Sequence, residues 1–407
     1  MDWGGANVAS CYERSVRKTL LLACFAAVCA CDETPKTYGP VYDGGPDASD
    51  ASADATDDVA LDAPADSPVD SPSDAPSCAS TVAILGGNAT TLFGAAGPGG
   101  AALSAASLPG TRRDCGTTSG CADPIAIARF GTGLLAVLAT SAGALDSTTM
   151  TTSWADPAAV ASASTIDGPS LAVVGATAHL VYQDAQYKYF HAEYTSSAWD
   201  SAGDPVGGGG SSQSFGARAP SAAAAGTDVV IVQAGSDSLL YDQTWNGSWQ
   251  AAHQQGGAAV QNTLPPSMVA LSGGSADLLA VYLRVNDYKV MAVARTGGAW
   301  GTPMLVNANA YSNDPVALVA LPGGKALVVF RGSDGKPYFS VWDGATTWTA
   351  PAPVVGANDP VIASAPSLAP GGCGADAVVA FAVSGGGAGI AAIGAGAFGA
   401  PLGGAGT

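Results

Sequence analysis

Six short apolar runs, at 134–138, 180–182, 229–232, 278–282, 327–330 and 378–381, recur along the chain between stretches rich in Gly, Ser, Asp and Asn. They are too short for helices and rich in β-branched residues, so they predict strands buried on both faces. Some 16 to 20 residues after each run stands a large ring: Trp154, Trp199, Trp249, Trp300, Trp348 and Phe398, spaced 45, 50, 51, 48 and 50 residues apart. A second marker, Pro124, Pro169, Pro220, Pro266, Pro315 and Pro366, keeps nearly the same period and usually precedes a small or apolar segment. Two markers with one period, several short strands per repeat and no helical spacing predict an all-β fold, a β-propeller of four-stranded blades. Six blades are favoured and seven are possible, because residues 80–100 echo the last repeat and could add a closing strand or part of a seventh blade. Glycine-rich links such as Gly235-Ser236-Asp237 and Gly332-Ser333-Asp334-Gly335 supply the hairpin turns.

The pattern changes toward the amino terminus. Arg14, Arg17 and Lys18 precede a ten-residue apolar run, and small residues then lead to a cysteine, which reads as a secretory signal over 1–30. Val28-Cys29-Ala30-Cys31 resembles the bacterial lipobox, which makes Cys31 the expected lipidation site. Ordinary signal cleavage near the same place is the alternative. Residues 31–77 form an Asp/Ala/Ser/Pro-rich linker in which Asp54, Asp58, Asp62, Asp66, Asp70 and Asp74 recur every four residues. Such a segment builds no core and self-repels, so it predicts a disordered acidic tether reaching on the order of 140 Å when extended. The propeller occupies 78–407. Anchorage through the lipid alone places the protein in the bacterial cell envelope, at the outer membrane or cell surface. Asp32 after the lipidated position is the feature that would instead favour the inner membrane.

Charge and composition narrow the chemistry. Lys and Arg total 15 against 33 Asp and Glu, for a net charge of -18, and no basic footprint for nucleic acid exists. The whole chain has three His (His179, His191, His253) and three Glu (Glu13, Glu33, Glu193), which leaves little for acid–base or metal chemistry, so no cofactor and no metal are expected. If Cys31 is lipidated, Cys78, Cys115, Cys121 and Cys373 remain as an even set outside the cytoplasm and imply disulfides, with three possible connectivities. Cys115 and Cys121 flank a short loop and could pair locally, leaving Cys78 to join Cys373 and tie the ends of the ring.

The repeated Trp is expected to be structural, since packing between blades demands one large ring per blade. Function is expected where the repeats differ. Counting sixteen or seventeen residues back from each ring gives Leu138, Gln183, Gln233, Arg284, Arg331 and Ala382. Gln183, Gln233, Arg284 and Arg331 therefore place hydrogen-bonding groups where closure requires none. Arg284 and Arg331 are expected to reach the rim and bridge sugar hydroxyls, or else to pair with Asp237, Asp287 or Asp334. A second variable place holds Tyr194, Trp245, Arg295 and Trp342. Flat rings beside donors suit the apolar face and hydroxyl edge of a sugar.

Residues 328–348, VVFRGSDGKPYFSVWDGATTW, and 230–249, VIVQAGSDSLLYDQTWNGSW, resemble repeats of bacterial β-propeller lectins that bind fucose and related sugars, and more loosely those of sialidase-like propellers. The resemblance is clear over about a third of the body. It implies shallow sugar sites between adjacent blades, with Arg331, Tyr338, Trp342 and Trp348 matching the phrase in one blade and Tyr241, Trp245 and Trp249 in another. Fungal fucose-binding propellers pair Arg with Glu in each site, whereas this body has Glu193 alone, so a full ring of equivalent sites is not expected. The sialidase Asp-box is not matched. The expected function is a glycan-binding or adhesion propeller without catalysis. The alternatives are a glycan-processing enzyme, which would need paired carboxylates that no repeat marks, and a protein-binding or structural propeller.

Overall fold

A computed structural model describes three strands within 81–108, residues 125–140, 142–151, 154–195, 198–200, 203–207, 218–354, 360–370 and 377–384, and two strands within 388–398. The signal, the tether and Cys31, Cys78, Cys115, Cys121 and Cys373 lie outside the described residues. Of the strands within 81–108 and 388–398 only the backbone is described.

The strands form seven antiparallel sheets. The first holds β1 (Thr81–Gly87), β2 (Leu92–Pro98) and β3 (Ser104–Leu108). Blade 1 is β4 (Ile125–Phe130), β5 (Gly133–Ala139), β6 (Ala144–Met150) and β7 (Ala158–Ser164). Blade 2 is β8 (Ser170–Val174), β9 (Thr177–Gln183) and β10 (Tyr189–Thr195), whose outer edge pairs with the short β11 (Ala198–Trp199) and β12 (Asp204–Pro205). Blade 3 is β13 (Ser221–Ala225), β14 (Asp228–Ala234), β15 (Leu239–Trp245) and β16 (His253–Ala259). Blade 4 is β17 (Ser267–Ala270), β18 (Leu278–Leu283), β19 (Val290–Thr296), β20 (Ala299–Trp300) and β21 (Met304–Leu305). Blade 5 is β22 (Ala317–Leu321), β23 (Lys325–Arg331), β24 (Pro337–Trp342) and β25 (Ala352–Pro353). Blade 6 is β26 (Ser367–Pro370), β27 (Ala377–Ala382), β28 (Ala388–Gly394) and β29 (Ala397–Phe398).

The innermost strands β4, β8, β13, β17, β22 and β26 neighbour one another in that order, and β1 runs beside β26. This is a β-propeller of six complete blades. The amino-terminal segment adds a separate three-stranded sheet next to blade 6 rather than one more strand on an existing blade.

Each apolar run of the sequence falls in the second strand of its blade, which is covered on both faces: all six residues of β18 are buried. Each repeated proline precedes an innermost strand, and the serine that often follows it has a use. Ser170 Oγ accepts the Ala222 N–H of the next innermost strand at 2.8 Å, and Ser221 Oγ accepts that of Met268 at 2.9 Å. Four of the repeated tryptophans pack against the preceding blade: Trp199 donates its indole N–H to Ser147 Oγ of blade 1 at 2.8 Å, Trp249 joins Val181 and Tyr189 of blade 2, Trp300 joins Val230 and Val232 of blade 3, and Trp348 joins Leu279 and Val281 of blade 4.

The seam between blades 2 and 3

Neighbouring blades meet face to face, so every second residue of β9 and β10 points at blade 3, and every second residue of β14 and β15 points back. Val181 and Tyr189 share one cluster with Val229, Ile231 and Trp249, which fixes those faces. The pairing register then puts His179, Gln183, His191 and Glu193 on the blade 2 side, and Gln233, Tyr241, Gln243 and Trp245 on the blade 3 side. His179, His191, Gln183, Gln233 and Gln243 are all buried. Beside that apolar cluster the interface thus buries a row of polar side chains.

Its hydrogen bonds run along the seam. Gln233 Nε2 donates to Gln243 Oε1 at 3.4 Å, Gln243 Nε2 donates to the Gln250 carbonyl at 3.2 Å, and the buried Gln233 Oε1 has no donor among the described residues. Tyr189 donates to the Arg218 carbonyl at 2.7 Å. Nδ1 of His179 lies 3.0 Å from Nε2 of His191 and 3.6 Å from a Glu193 carboxylate oxygen. His191 is walled in by Trp245, with ring centroids 4.5 Å apart, and by Trp249 at 5.3 Å. Burial, then the neighbouring His179, hold the His191 pKa down to about 3, and burial also lowers that of His179, so both rings are neutral. Burial raises the Glu193 pKa, as do Asp200 and Asp204, against a hydrogen bond from Trp245 that lowers it. Glu193 and Trp245 are half-buried and form the mouth of the seam.

Four of the eight ligand candidates, Gln183, Gln233, Tyr241 and Trp245, therefore come together on this one interface. The other four do not join them. Trp342 is wholly buried, packed against blade 4, and has no surface to offer a sugar; Gln183 and Gln233 are wholly buried too. Tyr338 faces blade 4 and donates its hydroxyl to Asp334 at 2.9 Å, as Tyr241 does to Asp237 at 2.6 Å. Arg331 faces the other way, toward blade 6, and its fork is engaged: Nε donates to the Ile362 carbonyl at 2.9 Å and Nη1 meets Asp314 at 2.9 Å. Arg284 lies in its hairpin turn, with its fork closed on Asp287 three residues on. In the structure both arginines are engaged with groups of the scaffold.

Nor are the two arginines equivalent. The last paired residues of the second strands are Ala139, Gln183, Ala234, Leu283, Arg331 and Ala382, so Arg284 and Gln233 are each one residue out of phase with Arg331 and Gln183. The reason is loop length. The hairpin between the third strand and the marker ring closes Met150 on Trp154 and Trp245 on Trp249, but Tyr194 on Trp199 and Trp342 on Trp348, and the turn after Leu283 is one residue longer than the others. Counting from the ring inherits those differences.

The cluster of His179, His191 and Glu193 was not among the sequence candidates. The signal for it is the pair His191-Ala192-Glu193 within one strand, since a spacing of two puts both side chains on one face.

No family model matches the chain, and no curated protein matches it in sequence. Solved structures do match. The BP39L lectin from Burkholderia pseudomallei is 14% identical with a TM-score of 0.60, over 80% of this chain and 96% of that one. AofleA from Arthrobotrys oligospora is 14% identical with a TM-score of 0.51, over 70% and 86%. A six-bladed propeller lectin with a novel fucose recognition mode, from Aleuria aurantia, is 17% identical with a TM-score of 0.47, over 70% and 96%. The likeness is one of fold: the chain shares the architecture of β-propeller lectins.

Proposed function

We propose that this protein is an exported, lipid-anchored, non-catalytic carbohydrate-binding propeller, and that it takes a sugar at the mouth of the seam between blades 2 and 3. One observation carries the reading: at that mouth a half-buried indole, Trp245, stands beside an accessible carboxylate, Glu193, on a fold shared with a lectin. The ring offers a flat apolar face for the C–H side of a sugar, and the carboxylate accepts from its hydroxyls. Fucose and related sugars are the first ligands to test, because the repeats resemble those of fucose-binding propellers. Lipidation at Cys31 and the acidic tether over 31–77 would hold the propeller at the end of a long spacer outside the cytoplasmic membrane.

A glycan array with the purified protein tests the binding. Retention of fucosylated glycans that is lost in Trp245→Ala supports the reading; silence across the array overturns it, and released product overturns its non-catalytic part. Fractionation tests the anchor separately: Cys31→Ala should move the protein from the membrane to the soluble fraction.

A further inference from the structure

Three of the six His and Glu residues in the chain converge on one face of blade 2. The donor atoms of His179, His191 and Glu193 all lie within 4.8 Å of one another. Ligand atoms about 2.0–2.1 Å from a tetrahedral zinc stand roughly 3.3–3.4 Å apart. Two of the three separations, 3.0 Å between the two ring nitrogens and 3.6 Å from Nδ1 of His179 to the carboxylate, bracket that spacing, and the third is within 4.8 Å. The ring planes agree within 6° and the centroids are 5.2 Å apart, so the imidazoles meet edge to edge with a nitrogen lone pair of one facing an N–H of the other.

We propose that His179 Nδ1, His191 Nε2 and Glu193 form a mononuclear site for a divalent cation of the zinc class, the metal replacing the proton that the two rings share. The charges ask for a cation. Glu193, Asp200 and Asp204 crowd together, and among the described ion pairs Glu193 has only His179 opposite it. The surroundings resemble an outer shell: the Trp245 indole N–H holds the carboxylate, and Trp245 and Trp249 wall His191. The half-buried Glu193 side is the way in, and water completes the coordination. Two imidazoles and one carboxylate favour zinc over calcium or magnesium.

The test uses the full-length protein, stripped with chelator and titrated with Zn²⁺ by calorimetry, and with Co²⁺ as a spectroscopic probe. One ion per chain is expected, with affinity falling by roughly a hundredfold or more in His191→Ala and in Glu193→Gln. His253→Ala, which changes the exposed third histidine, should bind as before. Trp245→Phe should weaken binding by about tenfold, as losing an outer-shell partner does. Unchanged binding in His191→Ala, or none by the parent, overturns the proposal. If His191→Ala fails to fold, the parent's Co²⁺ spectrum decides: intense tetrahedral bands without thiolate charge transfer support the site, and a thiolate band or weak octahedral bands refute it. Glycan binding, measured separately in chelator, shows whether the sugar reading stands without the metal.

Discussion

The seam between blades 2 and 3 and that between blades 4 and 5 are built on the same lattice of positions and filled in opposite ways. On the leading blade, His179, Val181, Gln183, Tyr189, His191 and Glu193 correspond to Leu279, Val281, Leu283, Val290, Ala292 and Ala294. On the following blade, Val229, Ile231, Gln233, Tyr241, Gln243 and Trp245 correspond to Ala326, Val328, Phe330, Tyr338, Ser340 and Trp342. The second seam is an almost wholly apolar core. Its small Ala292 leaves room for Trp342, which sinks to complete burial. In the first seam the ring of His191 and the carboxylate of Glu193 occupy that room, and Trp245 stands partly in solvent against His191. One tryptophan position thus serves as core in one seam and as surface in the other, and the facing residues decide which.

The largest expected effect contrasts those two rings. Trp342→Ala should cost about 3–5 kcal/mol of stability, as for a buried aromatic, whereas Trp245→Ala should cost less than half as much. Chemical denaturation of the two variants checks this, and equal losses would break the contrast between the seams.

Acid should act on the polar seam through its two histidines. His191 is held near 3 by burial and His179, while an unfolded histidine titrates near 6.5, so between those values the unfolded chain binds more protons and stability rises with pH. Lowering the pH from about 7 to about 4 should therefore cost a few kcal/mol through these two rings. Glu193, whose pKa is raised, opposes this: it holds a proton in the fold that the unfolded chain releases, and so favours the fold as the pH falls. Melting curves across this range should show a weaker pH dependence in His191→Asn than in the parent.

Making the first seam resemble the second should be nearly free at its centre. Gln233 corresponds to Phe330, and its buried carbonyl oxygen has no donor among the described residues. The double variant Gln233→Leu, Gln243→Leu should then change stability by less than about 1 kcal/mol, in either direction, because the two glutamines leave together and the Gln250 carbonyl, on an exposed residue, can turn to water. A loss several times larger would mean that the polar seam itself holds the blades together.

The two arginines should differ from each other. Arg331→Ala should cost about 1.5–3 kcal/mol, since its fork joins blade 5 to the segment carrying Ile362. Arg284→Ala should cost less than about 1 kcal/mol, its partner being an exposed Asp in the same turn. Thermal melts of the two single variants separate them, and equal shifts would restore the equivalence that counting back from Trp300 and Trp348 suggests.

The repeat and its core are legible in the sequence. The apolar runs mark the second strands, the prolines mark the innermost strands, and the period of the rings marks the blades. Each follows from local chemistry: β-branched residues fill doubly covered strands, proline suits a strand start where no ladder donor is needed, and one ring per blade fills the gap to its neighbour. The phase of each residue within its blade was not legible. Hairpins of different length carry the marker ring closer to or farther from the strand, and with a side-chain period of two, a slip of one residue turns Gln233 or Arg284 to the opposite face. Which blade faces which was equally out of reach, so the meeting of His179 and His191 with Glu193, and the different fates of Trp245 and Trp342, were decided only by the packing of one blade on the next. Sequence periodicity determines what repeats, because every blade must satisfy the same backbone and core; the interfaces, where residues distant along the chain compete for one space, belong to the tertiary structure.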